Sequence, residues 1–265
     1  MSIKTLVITG LGLNCQKETD AAFTAAGSEV TQIHLNDLIE NKSKLNDFHI
    51  LAFIGGFSFG DHLGAGTVFS NKVKAALNEQ LEKFINDGKL IIGICNGFQT
   101  ITRLGIVPAI SGLFNQEVAL QHNDSGVFRD SWVNLKAEAD SSCIFTKGID
   151  TIELPIRHGE GKFIPLNESV LKVLEEGGYV CLRYADSDGN STSEFPLNPN
   201  GSVNNIAGIC DKSGRIFGLM PHPEAYLSPF NHPHWGKQKI EGKLPAKGLG
   251  QQIFDNAVKF AQENL

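Results

Sequence analysis

The sequence contains no apolar run that approaches the ~20 residues of a membrane-spanning helix, so we expect neither a span nor a membrane partner. Residues 1–4 lead directly into a strand-like run, which is unlike a signal peptide. The five cysteines are scattered and form no Cys-x-x-Cys pair. This spacing disfavours a structural zinc cluster and favours reduced thiols, so we expect a cytoplasmic protein.

Positive charge is also scarce, because 23 Lys and Arg residues face 29 Asp and Glu residues, for a formal net charge of −6. Nucleic-acid phosphates are bound by clustered Lys and Arg, so we expect no nucleic-acid partner. No Gly-Lys-Ser or Gly-Lys-Thr follows a glycine-rich stretch, which excludes a P-loop. Hydrophobic residues make up 41% of the 265 residues. This is enough for a sizeable core, so folding needs no disulfide or structural metal.

The first half of the chain alternates strand and helix patterns. Strands are predicted at residues 3–9, 29–35, 49–54 and 89–94, and helical spacing runs over residues 73–85. The strands are continuously apolar, as in sheets that are covered by helices on both faces. We therefore predict a mostly parallel sheet whose ligands gather at the carboxyl ends of the strands.

The second half is richer in strand patterns. These lie at residues 117–120, 132–135, 152–156, 179–183, 204–209 and 216–219, and a closing helix is predicted over 248–264. Residues 229–247 are rich in Pro, Gly and Lys without a clear period, which predicts a surface excursion. The predicted fold is a single α/β domain over residues 1–265. It has a mostly parallel central sheet, helices on both faces and additional antiparallel strands in the second half.

Residues 93–97, Gly-Ile-Cys-Asn-Gly, are the sharpest local signal. They form a Gly-x-Cys-x-Gly elbow between an apolar strand and a short helix, a turn that exposes a nucleophile. Cys95 would sit at a helix N-terminus, which favours the thiolate, and the N–H of Asn96 would point toward an oxyanion. The alternative is a buried structural cysteine.

Residues 221–224, Pro-His-Pro-Glu, follow a predicted strand. The two prolines favour an extended backbone, in which side chains at positions i and i+2 point the same way. Glu224 could then orient the imidazole of His222, and the two residues would be the base and the orienting group of a catalytic triad. The alternative is a polar strand end with two solvated side chains.

Gly55 and Gly56 end a predicted strand and open the glycine-rich residues 55–60. Paired glycines can present backbone N–H groups to a developing negative charge. The alternatives are a plain flexible loop and, more weakly, a loop that cradles phosphate.

These three motifs, in the chain order 55–56, 93–99 and 221–224, resemble the class I (triad) glutamine amidotransferases, whose fold is flavodoxin-like. Two further stretches narrow the match: residues 158–163 (His-Gly-Glu-Gly-Lys-Phe) and residues 198–202 (Asn-Pro-Asn-Gly-Ser). With them the chain is similar to the glutaminase subunits of phosphoribosylformylglycinamidine synthase, over residues 3–226 and the last helix.

The resemblance implies a role for each matching residue. Cys95 would be the nucleophile, His222 the general base and acid, and Glu224 the residue that orients the imidazole. Backbone N–H groups of Gly56, Phe57 and Asn96 would form the oxyanion hole. The substrate-binding residues would be Gly55, Gln99, His158, Gly159 and Glu160, and no residue would bind a metal.

The resemblance also implies the reaction, which is hydrolysis of glutamine to glutamate and ammonia through a γ-glutamyl thioester. The ammonia would pass to a large ATP-dependent synthetase subunit, accompanied by a small accessory subunit. That synthetase would make formylglycinamidine ribonucleotide in de novo purine biosynthesis. No cofactor is expected in this chain, whereas ATP and magnesium are expected in the synthetase.

The sequence departs from the family pattern at two places. Ile54 stands where members usually have Pro before the paired glycines, and residues 61–66 lack an Arg that many members carry.

Outside the motifs, the residues expected to serve packing are Cys15, Cys143, Cys181 and Cys210. His232 and His234 have no third metal ligand nearby in sequence and are expected in a surface loop.

Two other classes of function stay open on the sequence. One is a different triad enzyme, either the glutaminase subunit of another amidotransferase or a cysteine peptidase. The other is a non-catalytic regulatory module that keeps the fold, although an intact triad disfavours it.

Overall fold

A computed structural model describes residues 2–265 of the chain. The strands in these residues are β1 (Lys4–Thr9), β2 (Glu29–His34), β3 (Ile50–Phe53), β4 (Leu90–Ile94), β5 (Val118–His122), β6 (Arg129–Ala137), β7 (Thr151–His158), β8 (Glu160–Pro165), β9 (Val180–Ala185), β10 (Ile206–Cys210) and β11 (Ile216–Leu219). The α-helices are α1 (Gln16–Ala25), α2 (Leu35–Glu40), α3 (Thr67–Asn86), α4 (Asn96–Leu104), α5 (Glu168–Glu176), α6 (Trp235–Ile240) and α7 (Gln251–Asn264).

Nine of the strands form one sheet, in the order β2-β1-β3-β4-β11-β10-β9-β6-β7. Neighbours from β2 to β11 are parallel, and neighbours from β11 to β7 are antiparallel. The parallel half has the strand order of flavodoxin-like folds. Strands β5 and β8 form a separate antiparallel pair. The predicted α/β fold, with a parallel sheet and additional antiparallel strands in the second half, is confirmed.

The centre of the sheet is apolar on both faces. Every residue of β3, β4 and β11 is buried, which explains their continuously apolar sequences. Helix α3 covers the sheet through one stripe, in which Phe69, Val73, Leu77 and Leu81 are buried. The wide buried sheet gives the loops at its carboxyl edge a rigid support.

Several short elements were not predicted. Helices α2, α5 and α6 have six, nine and six residues, and α5 buries only Leu174 fully, so their apolar periods are weak. Residues 229–247, predicted as a surface excursion, contain α6 and a 3₁₀ turn at Pro229–Asn231. In the described residues, no helix combines the length and apolarity needed to cross a membrane.

The elbow between β4 and α4 depends on close backbone contact at Gly97. A Cβ atom at Gly97 would lie 1.9 Å from the carbonyl oxygen of Phe53 and 3.0 Å from its Cβ. Helix α4 can therefore approach β3 this closely only because position 97 lacks a side chain.

We expect Gly97→Ala to lower the free energy of unfolding by at least about 2 kcal/mol, because backbone atoms must move to admit the methyl group. The matched control is Gly236→Ala in α6, where a Cβ atom would meet nothing within 4 Å. That substitution should be neutral or stabilise by up to about 1 kcal/mol. Urea unfolding of both variants gives the comparison, and equal free energies of unfolding would contradict the close-contact argument.

Candidate active site

Loops that follow β1, β3, β4 and β11 meet at the carboxyl edge of the parallel strands, and they carry Cys15, Gly55, Cys95 and His222. A Cβ atom at Gly55 would lie 2.8 Å from Cε1 of His222 and 3.0 Å from Sγ of Cys15. Ligands in such sheets bind in the crevice at this edge, where the strand order reverses beside the first strand. Four segments that are distant in sequence therefore build one site.

The backbone at Cys95 has the geometry of an elbow. Its N–H donates a 2.9 Å hydrogen bond to the carbonyl of Leu219, which fixes it to β11. Its φ is +52°, in the left-handed region that costs energy for a residue with a side chain. Helix α4 begins at the next residue, and Sγ lies 3.6 Å from the carbonyl oxygen of Arg157. The sulfur is thus held at the edge of a cavity by its own main chain.

His222 and Glu224 form a buried pair. Nδ1 of His222 lies 2.6 Å from Oε1 of Glu224, and the two residues are 2% and 1% exposed. The main-chain N–H of His222 donates a 2.8 Å hydrogen bond to Pro155, which anchors the segment to β7. The predicted side-by-side placement is present, but the predicted extended backbone is wrong. Residues Pro223–Ala225 form a 3₁₀ turn that brings the carboxylate back to the ring.

The surroundings of His222 favour its charged form. Burial alone would lower the pKa of His222, but the negative charges of Glu224 and of a Cys95 thiolate outweigh burial and raise this pKa well above its ordinary value. Nε2 of His222 is buried and has no hydrogen-bond partner. This nitrogen can therefore exchange a proton with a group bound beside Cys95.

The glycine loop, residues 55–60, is fastened to the loop after β1. The N–H of Phe57 donates a 2.8 Å hydrogen bond to Gly12, and the N–H of Asn14 donates a 3.3 Å hydrogen bond to Gly55. Gly56 has a φ of +139°, and a Cβ atom there would lie 2.7 Å from the carbonyl oxygen of Gly12. The N–H of Phe57 is thus occupied in this conformation.

The side chain of Asn96 joins the parts of the site. Its Oδ1 accepts a 3.4 Å hydrogen bond from the N–H of Ser58, and its Nδ2 donates to Asp61 at 3.1 Å and to Gln99 at 2.9 Å. Its backbone N–H lies in the first turn of α4, where helical N–H groups have no partner within the helix. Asn96 therefore fixes the glycine loop relative to the cavity.

A cavity of about 190 Å³ opens beside Cys95. It is lined by the glycine loop, by Gln99, and by His158, Gly159 and Glu160 at the β7–β8 turn. Gln99 Nε2 donates a 2.6 Å hydrogen bond to the carbonyl of Glu160, and the Glu160 carboxylate accepts a 3.1 Å hydrogen bond from the N–H of Ala65. Four of the five predicted substrate-binding residues therefore lie around Cys95, whereas Gly55 does not line this cavity and packs against His222 and Cys15.

His158 is a neutral residue of the cavity wall. Burial and the nearby charge of His222 lower the pKa of His158 to about 3. Nδ1 of His158 lies 3.0 Å from Oδ1 of Asn123. The Nδ2 of Asn123 donates to two backbone carbonyls, so the amide is oriented with Oδ1 toward the ring. Because Oδ1 can only accept, Nδ1 of His158 carries the proton. The imidazole is thereby fixed in one tautomer.

Residues 198–202 support this wall from behind. Asn200 Nδ2 donates a 2.9 Å hydrogen bond to the carbonyl of Gly161, and Ser202 Oγ accepts a 2.9 Å hydrogen bond from the N–H of Phe163. Both side chains are buried. This stretch, which carried part of the family resemblance, therefore holds β8 in place and does not line the cavity.

The remaining cysteines fall into two groups. Cys143, Cys181 and Cys210 are buried, and their sulfur atoms lie within 4.8 Å of one another. Cys15, also expected to serve packing, lies within 4.8 Å of a ring nitrogen of His222 and a carboxylate oxygen of Glu224.

Two placements differ from the expectations in other ways. The expected surface position of His232 was wrong, because it is 2% exposed, bonds to Glu153 at 2.9 Å and packs against Trp132. Sequence reasoning also missed Asp61 and Arg157 as cavity residues. Asp61 follows a glycine and Arg157 precedes the motif at residues 158–163. Both are weak sequence signals for a place in the cavity.

A larger cavity of about 610 Å³ lies elsewhere, between the segment after β6 and α7. It does not contain the triad residues, so its size does not mark it as the catalytic site.

Comparisons with known proteins agree with this geometry. The family model of the CobB/CobQ-like glutamine amidotransferase domain matches residues 2–261. Phosphoribosylformylglycinamidine synthase subunit PurQ of Methanococcus maripaludis is 46% identical over 265 residues, which are 97% of each chain. The subunit of the same description from Dehalococcoides mccartyi is 44% identical over 261 residues, 98% of each chain.

A solved structure supports the same family assignment. A chain in the structure of PurLQS from Thermotoga maritima superposes with a TM-score of 0.72 at 28% identity, covering 98% of this chain and 99% of that one. The chain belongs to the CobB/CobQ-like glutamine amidotransferases, within the family of phosphoribosylformylglycinamidine synthase PurQ subunits.

Proposed function

We propose that this chain hydrolyses glutamine to glutamate and ammonia, and that the ammonia is used to make formylglycinamidine ribonucleotide in purine biosynthesis. The observation that carries the proposal is the 2.6 Å pair of His222 and Glu224, placed beside Cys95. A nucleophile, a base and a group that orients the base are the parts that acyl transfer needs.

In the first half-reaction, the Cys95 thiolate attacks the side-chain amide carbon of glutamine. The negative charge that develops on the amide oxygen is stabilised by backbone N–H groups of Gly56 and Asn96. The Glu224 carboxylate raises the pKa of His222 against the effect of burial and so favours the imidazolium. Nε2 of His222 gives its proton to the departing nitrogen, so ammonia leaves and the γ-glutamyl thioester remains.

In the second half-reaction, Nε2 of His222 takes a proton from water. The resulting hydroxide attacks the thioester carbon, the carbon–sulfur bond breaks, and glutamate and the Cys95 thiolate are released. Glu224 keeps Nδ1 as the proton-bearing nitrogen throughout, so Nε2 is free to act in both steps.

Two carboxylates suit the cavity to the α-ammonium group of glutamine. Asp61 and Glu160 both line it. Burial, with the nearby charge of Glu160, raises the pKa of Asp61 to about 6, although hydrogen bonds oppose the shift. At neutral pH the carboxylate is therefore mostly ionised and can pair with the ammonium group. Gln99 positions Glu160 through their 2.6 Å hydrogen bond.

The proposal includes partners. A large ATP- and magnesium-dependent synthetase subunit would receive the ammonia, accompanied by a small accessory subunit, and this chain would need no cofactor or metal. The support is the resemblance to a chain of the PurLQS structure, together with near-complete coverage by the PurQ relatives. The complex would act in the cytoplasm, where glutamine and ATP are available.

We expect the isolated chain to be a poor glutaminase that the synthetase activates. The N–H of Phe57 and the carbonyl of Gly55 are both bonded to the loop after β1, which holds the glycine loop in this conformation. Because residues 55 and 56 are glycines, the peptides on either side of Gly56 can turn at little steric cost once these hydrogen bonds break. A partner that binds one conformation of the glycine loop more tightly would select it.

The experiment is turnover at saturating glutamine, alone and with the synthetase, the accessory subunit, ATP and formylglycinamide ribonucleotide. We predict an increase of about tenfold or more, a typical size for coupling between sites. The Cys95→Ser chain in the same mixture controls for contaminating glutaminase. Equal rates with and without partners would contradict the coupling, and no ammonia in either condition would overturn the proposed function.

A further inference from the structure

The thiol of Cys15 is buried inside the catalytic centre, although no step of the reaction uses it. Residue 15 is 5% exposed and precedes α1. Its sulfur lies within 4.8 Å of a ring nitrogen of His222 and a carboxylate oxygen of Glu224. Burial raises the pKa of Cys15, so this thiol is neutral at physiological pH and is a poor nucleophile.

Two buried polar atoms face this region without partners. Nε2 of His222 and Oε2 of Glu224 make no hydrogen bond, and both residues are almost completely buried. The hydrogen bond between Oε1 and Nδ1 holds the ring at one atom. A second contact, at the edge of the ring, would fix the plane of the imidazole.

We propose that Cys15 is a positioning residue, whose sulfur holds the imidazole of His222 against Glu224 and connects this ring to the glycine loop. The inference rests on the proposed glutaminase function.

The main chain of Cys15 is firmly held, as a positioning residue requires. Its carbonyl accepts hydrogen bonds from the N–H and from Oγ1 of Thr19, at 3.1 and 2.8 Å. The neighbouring Asn14 bonds to the carbonyl of Gly55. The sulfur is therefore fixed both to α1 and to the loop that carries the oxyanion-hole residues.

The sulfur is oriented as well as placed. Sγ of Cys15 donates to Oδ1 of Asn14 at 3.5 Å, which directs the S–H away and leaves the sulfur lone pairs for the ring. The position of Gly55 explains why no side chain separates them, since a Cβ atom there would contact both the sulfur and Cε1 of the ring. A polarisable sulfur beside the edge of an aromatic ring makes a modest favourable contact, so it stabilises this position of the imidazole modestly.

The pH dependence follows from the groups around the ring. The titratable and charged groups that face His222 are Glu224 on its own segment, Cys95 before α4, Cys15 before α1, and Arg157 and His158 on β7. Of these, Cys15 contributes by raising the pKa of His222. Loss of the sulfur lowers this pKa, so the imidazolium is lost at lower pH. The basic limb of the activity profile should then move to lower pH.

The test compares Cys15→Ala and Cys15→Ser with Cys143→Ala, which removes a thiol of matched burial (4% against 5% exposed) outside the site. Glutaminase activity is measured against pH in the complex with the synthetase. We expect kcat/KM of Cys15→Ala to fall about tenfold, mainly through kcat, because a misplaced base impairs both half-reactions. Cys15→Ser should retain most activity, and Cys143→Ala should match the wild type.

A second measurement does not depend on turnover. The rate at which a small electrophile such as chloroacetamide alkylates Cys95 is followed against pH in the full-length chain, by mass spectrometry of the Cys95 peptide. The profile of Cys15→Ala should shift in the same direction as its activity profile. An unshifted profile in both experiments would overturn the inference and leave Cys15 as a packing residue. Absence of glutaminase activity in the wild-type complex would instead refute the proposed function, and the alkylation profiles would still decide the role of Cys15.

Discussion

Replacing Cys95 by serine should reduce glutamine hydrolysis by about 10⁴-fold or more while leaving the fold intact, because the reaction loses its nucleophile. A hydroxyl is almost the same size as a thiol, but it is far harder to ionise. His222 and the helix N-terminus can stabilise a thiolate and cannot make an equivalent alkoxide. Turnover and the free energy of unfolding should be measured on the same preparation, and the latter should change by less than about 1 kcal/mol.

Cys143→Ser is the matched control for this experiment, since it makes the same chemical change at an equally buried position. It should keep wild-type turnover, even if burial of a hydroxyl lowers its stability. Comparable turnover in Cys95→Ser and the wild type would exclude Cys95 as the nucleophile.

His222→Ala should remove almost all activity, by about 10³-fold or more, because both half-reactions need proton transfer at Nε2. Glu224→Gln should retain the shape of the site but lower turnover by about 10² to 10⁴-fold. The amide can still accept from Nδ1, but it lacks the negative charge that raises the pKa of His222. The basic limb of the pH profile should therefore move to lower pH in this variant.

The losses of turnover in His222→Ala and Glu224→Gln should not be additive in the double variant. His222 and Glu224 act as a unit through their hydrogen bond, so the double variant should be about as slow as His222→Ala alone. Steady-state rates of the two single variants and the double variant give this comparison. Multiplicative losses, or wild-type turnover in Glu224→Gln, would show that the carboxylate does not act through the ring.

The parts of the site that could be predicted are those encoded by local sequence. Two glycines around Cys95 predict an elbow because glycine allows the close backbone approach of a tight turn, and the structure shows this turn with a φ of +52° at Cys95. The proximity of His222 and Glu224 was predicted for an incorrect reason. The prolines were interpreted as extending the chain, whereas Pro223 begins a 3₁₀ turn, a position where its fixed φ is equally suitable.

The contacts that could not be predicted join segments far apart in sequence. Cys15 and His222 are close in space because β1 and β11 lie in one sheet. No local sequence pattern after either strand indicates this contact. The occupied N–H of Phe57 likewise depends on a hydrogen bond to Gly12 in another loop. Helices α5 and α6 escaped prediction because they lie on the surface and bury too few residues to show a period.

The central claim is that Cys95 forms a covalent bond with the substrate, and labelling tests it most directly. The wild-type chain is treated with an electrophilic glutamine analogue, with and without excess glutamine, digested, and analysed by mass spectrometry at all five cysteine positions. The account predicts one label, on the peptide that contains Cys95, and protection of that peptide by glutamine. Label on Cys15 or Cys210 with Cys95 unmodified would contradict the account.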